Sequence, residues 1–330
     1  MAGVKKLRKI LLGREQTAGT EANASTYWRG TGTIQENITV EFPEEDVGYL
    51  SGLNRTYIPK TEALLELDET PATFEGVLHL LEMGIETVTT ATTGGGVQYV
   101  YDFPTTAANT IKTYTVEGGD DQQETQFLYG FCPSFSLSGS AGEAVMMAGS
   151  IVGRQVATGT FTTNPTMPSQ DEILFGKGVL YIDTAGGTQG LTPQTTTFLS
   201  FGLEVDTGWR ATYTGDGQIY FTRAKNVGPE ITLNLEFEHD AFSVAQLAAW
   251  RAETAQLIRV QFTGATLTTT GTTYTAKTLR IDLAGSWESF DKLGERDGND
   301  VVAGTFRARY DTTASKFATI TDVCNLTAVP

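Results

Sequence analysis

The stretch Ser134–Arg154 recurs as Ser289–Arg309 at a constant offset of 155 residues, without a gap. Six positions are identical: Ser134/Ser289, Phe135/Phe290, Gly139/Gly294, Ala148/Ala303, Gly149/Gly304 and Arg154/Arg309. Chemical character repeats as well, with Val302 falling on Met147, Thr305 on Ser150 and Phe306 on Ile151. A chain that carries one pattern twice ties two similar units together in fixed succession. That relation restricts the assemblies it can enter.

With 330 residues the chain is long enough for two domains. It has 23 Lys plus Arg against 39 Asp plus Glu, a net charge of −16. Gripping nucleic acid requires clustered cations to neutralise phosphates, so this balance argues against a nucleic-acid binder. It is compatible with an acidic wall that nucleic acid passes without sticking. Cys132 and Cys324 are too few for a disulfide framework and read as buried free thiols. Lys5, Lys6, Arg8 and Lys9 precede the run Ile10-Leu11-Leu12, which is too short for a signal-peptide core or a membrane span. The expectation is a protein made in a reducing cytosol, with no membrane span.

Thr, Val, Tyr, Phe and Gly in short alternating runs predict a mainly β (α+β) chain. Two prolines and no periodic pattern mark Thr162–Asp171 as a connector, with the linker proper at 164–171. It separates a first domain, 1–163, from a second, 172–330. Each half then runs in the same order. An apolar run (Ile10–Leu12; Val179–Tyr181) is followed by a β segment (Asn37–Phe42; Phe201–Asp206) and an irregular arm (Pro43–Ile58; Thr207–Val227). Gly215-Asp216-Gly217 signals a hairpin in the second arm, between Trp209–Tyr213 and Gln218–Phe221.

A strand follows each arm. In Thr61–Asp68, Ala63, Leu65 and Leu67 share one face, with Glu62, Leu64 and Glu66 on the other. In Ile231–Glu238, Ile231, Leu233, Leu235 and Phe237 oppose Thr232, Asn234, Glu236 and Glu238. The only helix signal of each half comes next. In the first, Phe74, Val77, Leu78 and Leu81 follow helical spacing, opened by Thr70-Pro71 and closed by Gly84. In the second, Ser243–Gln246 reads as a capping box, and Val244, Leu247 and Ala248 as the buried stripe. One helix over one sheet face leaves the opposite, polar and acidic face free.

Catalytic signals are weak, and the sequence predicts neither an enzyme nor a cofactor. His79 and His239 lack a neighbour at metal-ligand spacing. Asp297-Gly298-Asn299-Asp300 lacks the further ligands and closing Glu of a calcium loop and reads as a polar turn. Gly94-Gly95-Gly96 lacks the Lys and Ser/Thr of a phosphate loop, and no G-x-S-x-G pattern occurs.

The ordered series over Phe201–Arg309 carries a resemblance. It comprises Gly202–Trp209, Tyr213–Gly217, Gly228-Pro229-Glu230, Leu235–Asp240 and Leu293–Asp300. The first half adds Arg8–Leu12, Val116–Asp120 and Ser136–Gly139 in matching order. The series resembles the tail tube (major tail) proteins of long non-contractile-tailed bacteriophages. The resemblance implies a β sandwich with one flanking helix and a long arm in each half. It implies rings of sixfold or pseudo-sixfold symmetry, whose inner sheets join into a ring-wide β barrel. Stacked rings make a virion conduit for DNA, which transits without specific binding; assembly occurs in the host cytoplasm alongside a tape-measure protein and other tail proteins. With two units per chain, a ring of three chains is expected.

On this reading Glu62, Glu66, Glu236 and Glu238 face the lumen. Tyr49, Tyr57, Trp209, Tyr213, Tyr220 and Phe221, on arms with no evident place in the core, make contacts between rings. A terminator or tip ring fits the same features, as does a surface carbohydrate-binding β protein.

Overall fold

The computed structural model describes residues 4–86 and 94–330, and the chain is mainly β and antiparallel. The first stretch runs β1 (Lys9–Arg14), β2 (Thr26–Tyr27), β3 (Gly32–Glu41), β4 (Tyr57–Pro71) and α1 (Val77–Gly84). It continues through β5 (Val97–Asp102), β6 (Tyr114–Gly119), β7 (Glu124–Ser140), β8 (Met146–Gly153) and β9 (Ala157–Thr158). The second stretch opens with β10 (Gly178–Thr184), β11 (Pro193–Gln194), β12 (Phe198–Asp206), β13 (Trp209–Thr212), β14 (Arg223–Asn226) and β15 (Glu230–Glu238). It closes with α2 (Ala241–Arg251), β16 (Gln256–Thr266), β17 (Ala276–Phe290), β18 (Gly294–Arg296), β19 (Asn299–Ala308) and β20 (Ala318–Cys324).

Two long strands each serve two sheets. The first part of β7 pairs with β6, and its end, Ser134–Ser138, pairs with β8. Between them the ladder is interrupted near Tyr129, which sits at φ 61°. Likewise Ala276–Gly285 of β17 pairs with β16, and Gly285–Phe290 pairs with β19. Strands β12 and β7 then join edge to edge, from Ser200↔Ser140 to Asp206↔Ser134. The result is one antiparallel ladder of eight strands, β3-β4-β8-β7-β12-β15-β19-β17. Among the described residues this ladder is open: β3 pairs only with β4, and Ser286–Phe290 only with β19.

The register of pairing recurs with the sequence. Ser134 faces Ser150 and Phe135 faces Gly149 in β7·β8; Ser289 faces Thr305 and Phe290 faces Gly304 in β17·β19. On the other side of each unit, Ile34↔Leu65 and Asn37↔Glu62 in β3·β4 correspond to Leu203↔Leu233 and Asp206↔Glu230 in β12·β15. The outer strands pair in the same order: Leu11↔Tyr27, Leu11↔Glu117 and Glu117↔Gln126 in β1·β2, β1·β6 and β6·β7 correspond to Leu180↔Gln194, Leu180↔Val260 and Val260↔Ile281 in β10·β11, β10·β16 and β16·β17. β5 crosses from the first stretch to pair with β20.

Strand alternation follows the sequence. Ala63, Leu65 and Leu67 are buried, as are Ile231, Leu233, Leu235 and Phe237, while Glu66, Asn234 and Glu238 are exposed. Full burial of each large apolar side chain is worth about 2 kcal/mol of transfer free energy. These faces share one contiguous core that draws on both halves. Residues 164–171 are not a free tether. Thr166 exchanges backbone hydrogen bonds with Ser25 and Tyr27, and the Asp171 N–H donates to Glu75 Oε2 at 3.0 Å. Cys132 and Cys324 are free and buried.

Local readings differ in three places. Thr70-Pro71 ends β4 rather than opening the helix; α1 starts at Val77, and its eight residues are all buried. A helix enclosed on every side is not the surface helix that an apolar stripe implies. Helix α2 is capped by Asp240, whose carboxylate accepts from the Ser243 N–H at 2.9 Å while Ser243 Oγ accepts from the Asp240 N–H at 3.0 Å. This start rotates the helix so that Ser243 and Gln246 are buried, while Val244 and Ala248 are exposed. Gln246 can face inward because Trp287 Nε1 and Gln256 Nε2 donate to its Oε1. In the second arm, β13 pairs with Arg223–Asn226 rather than Gln218–Phe221, from Trp209↔Asn226 to Thr212↔Arg223.

Candidate functional site

The face of the eight-strand ladder turned away from the core is built from small polar and acidic residues. Strand β7 contributes Ser134, Ser136, Ser138 and Ser140, a period-two run visible in the sequence but unread as a strand face. Pairing carries each serine into a row across neighbouring strands. One row runs Thr33, Glu66, Ser150, Ser134, Asp206, Glu230. Another runs Ser138, Gly202, Asn234, Thr305, Ser289. Side chains directly opposite across a ladder lie on the same face, so the rows form one surface. No large apolar side chain lies among these residues, and beyond Ser138 the second row continues to Met146 on β8 and Pro71 on β4.

Part of its charge is balanced within the chain. Arg210 pairs with Asp206 at 2.5 Å, Arg307 with Glu230 at 2.9 Å and Arg296 with Glu236 at 2.8 Å. The Arg210 hydrogen bonds hold the Asp206 carboxyl below the usual range. Exposed pairs of this kind are worth about 0–1 kcal/mol, so they shape the field of the face more than its stability. Glu66, Glu204 and Glu238 have no ion pair among the described residues.

The four glutamates singled out in the sequence all sit on the polar side of their strands, in two separated groups. Glu62 and Glu66 lie on β4, Glu236 and Glu238 on β15, with three strands between. Glu62 is not a bare carboxylate: the Tyr213 hydroxyl donates to it at 2.7 Å and Lys60 approaches within 3.2 Å. Glu236 accepts from Ser200 Oγ and Arg296.

The arms divide sharply. The second arm folds back onto the first half, where Trp209 and Phe221 join Tyr129 and Phe131 in a buried cluster. The expectation that arm aromatics have no place in a core fails for these two, because the cluster uses them inside the chain. Phe221 meets Tyr129, Phe131 and Tyr213 edge to face, at centroid distances of 5.3, 5.8 and 6.2 Å. Arg154 closes the junction, a role its sequence position did not announce. Its guanidinium lies over the rings of Tyr129 and Tyr220 and donates to the carbonyls of Phe221 and Thr222. The first arm has no such seat: Phe42, Val47, Tyr49, Leu50, Leu53 and Tyr57 are all exposed.

Asp297 and Gly298, at φ 52° and 82°, form the two-residue turn between β18 and β19, as both central residues of a type I′ turn require. Among the described residues no helix is long and apolar enough to cross a membrane. No protein-family model matches the chain, and comparison with curated proteins finds no match.

Proposed function

We propose that this chain is a structural protein of a long non-contractile bacteriophage tail, polymerising as stacked rings into the tube through which viral DNA leaves. The observation that carries the reading is the eight-strand ladder. Two four-strand units in equivalent register meet through β7·β12 and, among the described residues, leave one unpaired edge at each end. An unpaired edge is a template for another strand, and the two ends differ, so copies join head to tail rather than as a closed twofold dimer. If each unit is one tube domain, three chains supply six, and the polar faces together line a lumen. Serine, threonine and unpaired glutamate dominate that wall, and Arg210, Arg296 and Arg307 on it are each paired with a carboxylate, which leaves little positive charge to hold phosphate.

Negative-stain images of the purified protein, with mass per ring from scanning transmission microscopy, test the reading. Hollow tubes or rings of three chains are expected. A protein that stays monomeric at every concentration overturns the reading, and six chains per ring overturns the two-domain interpretation.

A further inference from the structure

Arg154 and Arg309 hold the same place in the repeat, and their surroundings differ. Each directly follows its strand, β8 or β19, and each backbone N–H donates back to the long strand, Arg154 to the Leu128 carbonyl and Arg309 to the Ala284 carbonyl. Arg154 is clamped over the second arm. Arg309 is exposed, and its guanidinium has no ion pair or hydrogen bond among the described residues. The arms are equally matched in sequence position and equally opposite in state. The second arm leaves at Asp206↔Glu230, whereas the equivalent pair Asn37↔Glu62 lies inside the first ladder, which runs on to Glu41↔Tyr57 before the first arm leaves. One is packed; the other exposes a run of apolar side chains.

We infer that the first arm, Phe42–Thr56, docks on the Arg309 end of a second copy of this chain, reproducing between copies the junction that the second arm makes within one. The inference rests on the ring-forming reading above. The arm's own Arg309 lies toward the far end of the ladder, since β3 bounds one end and Arg309 follows β19 near the other. Six strand spacings of about 4.8 Å separate them by roughly 29 Å along the ladder. Charge favours the match: Glu45 pairs with Arg55 inside the arm, but Glu41 at its base and Glu44 and Asp46 within it have no ion pair among the described residues and are free to meet an unpaired arginine. Exposed Tyr49 and Tyr57 offer rings for its guanidinium, as Tyr220 does for Arg154. On the receiving side Ala284 stands where the first half has Tyr129, so Arg309 is stacked from the arm alone.

Disulfide trapping between two tagged copies tests it, one carrying Leu50→Cys and the other Tyr310→Cys. Both positions are exposed, and the native cysteines are buried and free. Mild oxidation should yield the mixed disulfide. Adding Arg309→Glu to the second copy should weaken association at least about tenfold by light scattering, with Arg309→Gln intermediate and circular dichroism unchanged. Assembly into rings without the mixed disulfide, or insensitive to both Arg309 variants, overturns the docking while leaving the ring reading standing. Absence of any self-association overturns both.

Discussion

The Tyr213 hydroxyl donates a 2.7 Å hydrogen bond to the Glu62 carboxylate, joining the second arm to a strand of the first half 151 residues away. Burial, reinforced by that bond, pushes the phenol up to about 12, so it remains a donor across the physiological range. Tyr213→Phe removes the bond at a site open to water and should cost about 1 kcal/mol in urea unfolding. Phe221→Ala empties a fully buried position in the same junction and should cost about 3–5 kcal/mol. Equal costs for the two variants would show that the arm is not held by its aromatic cluster.

His79 should make the protein acid-sensitive. Burial lowers its imidazole from the usual 6.5 to about 4, and its Nδ1 has no partner among the described residues. The unfolded chain therefore takes up a proton that the folded chain refuses. Stability present above pH 6.5 is lost as pH falls toward 4, by about 3 kcal/mol from this residue alone. His79→Leu should flatten that part of the stability curve. An unchanged slope between pH 6.5 and 4 would contradict the assignment.

Asp322 should act on the opposite limb. It is fully buried, neither carboxyl oxygen has a hydrogen-bond partner among the described residues, and burial together with nearby Glu75 raises it well above the usual carboxylate range. The folded state keeps a proton that the unfolded chain releases. Its contribution is complete below the unfolded carboxylate pKa, near 4, and declines as pH rises toward the raised value. Asp322→Asn should lose less stability than the parent between pH 5 and pH 9, read from denaturant midpoints. A parallel decline in both proteins would remove Asp322 as the cause.

The repeated Phe–Gly pairs should respond unequally to a methyl group. A Cβ on Gly304 would lie 2.6 Å from the Phe290 ring, whereas on Gly149 it would stand 3.3 Å from its nearest neighbours. Gly304→Ala must displace an aromatic ring and should cost about 1–3 kcal/mol, with Gly149→Ala nearer neutral. Thermal midpoints distinguish them, and the reverse order would contradict the packing described.

What was readable in the sequence was periodic. Alternation in Thr61–Asp68 and Ile231–Glu238 assigned the buried and exposed faces correctly, because a strand turns successive side chains to opposite sides whatever it packs against. The same period lay in Ser134–Ser140, where it marked the centre of the polar face. Helical spacing found both helices but misjudged their surroundings: α1 is enclosed, and α2 turns Gln246 inward because Trp287 and Gln256, distant in sequence, donate to it.

The sequence by itself determined that one pattern occurs twice, that its strands have one apolar and one polar face, and that each half carries an arm. These are properties of neighbouring residues and backbone geometry. Only the tertiary structure decided where the arms go and which arginine is occupied. It also joined β7 to β12 and brought β5 to β20. Strand partners and side-chain clamps form between residues far apart in the chain, and local periodicity carries no record of them. Arg154 and Arg309 are the same letter in the same repeat; what distinguishes them is the arm lying across one and not the other.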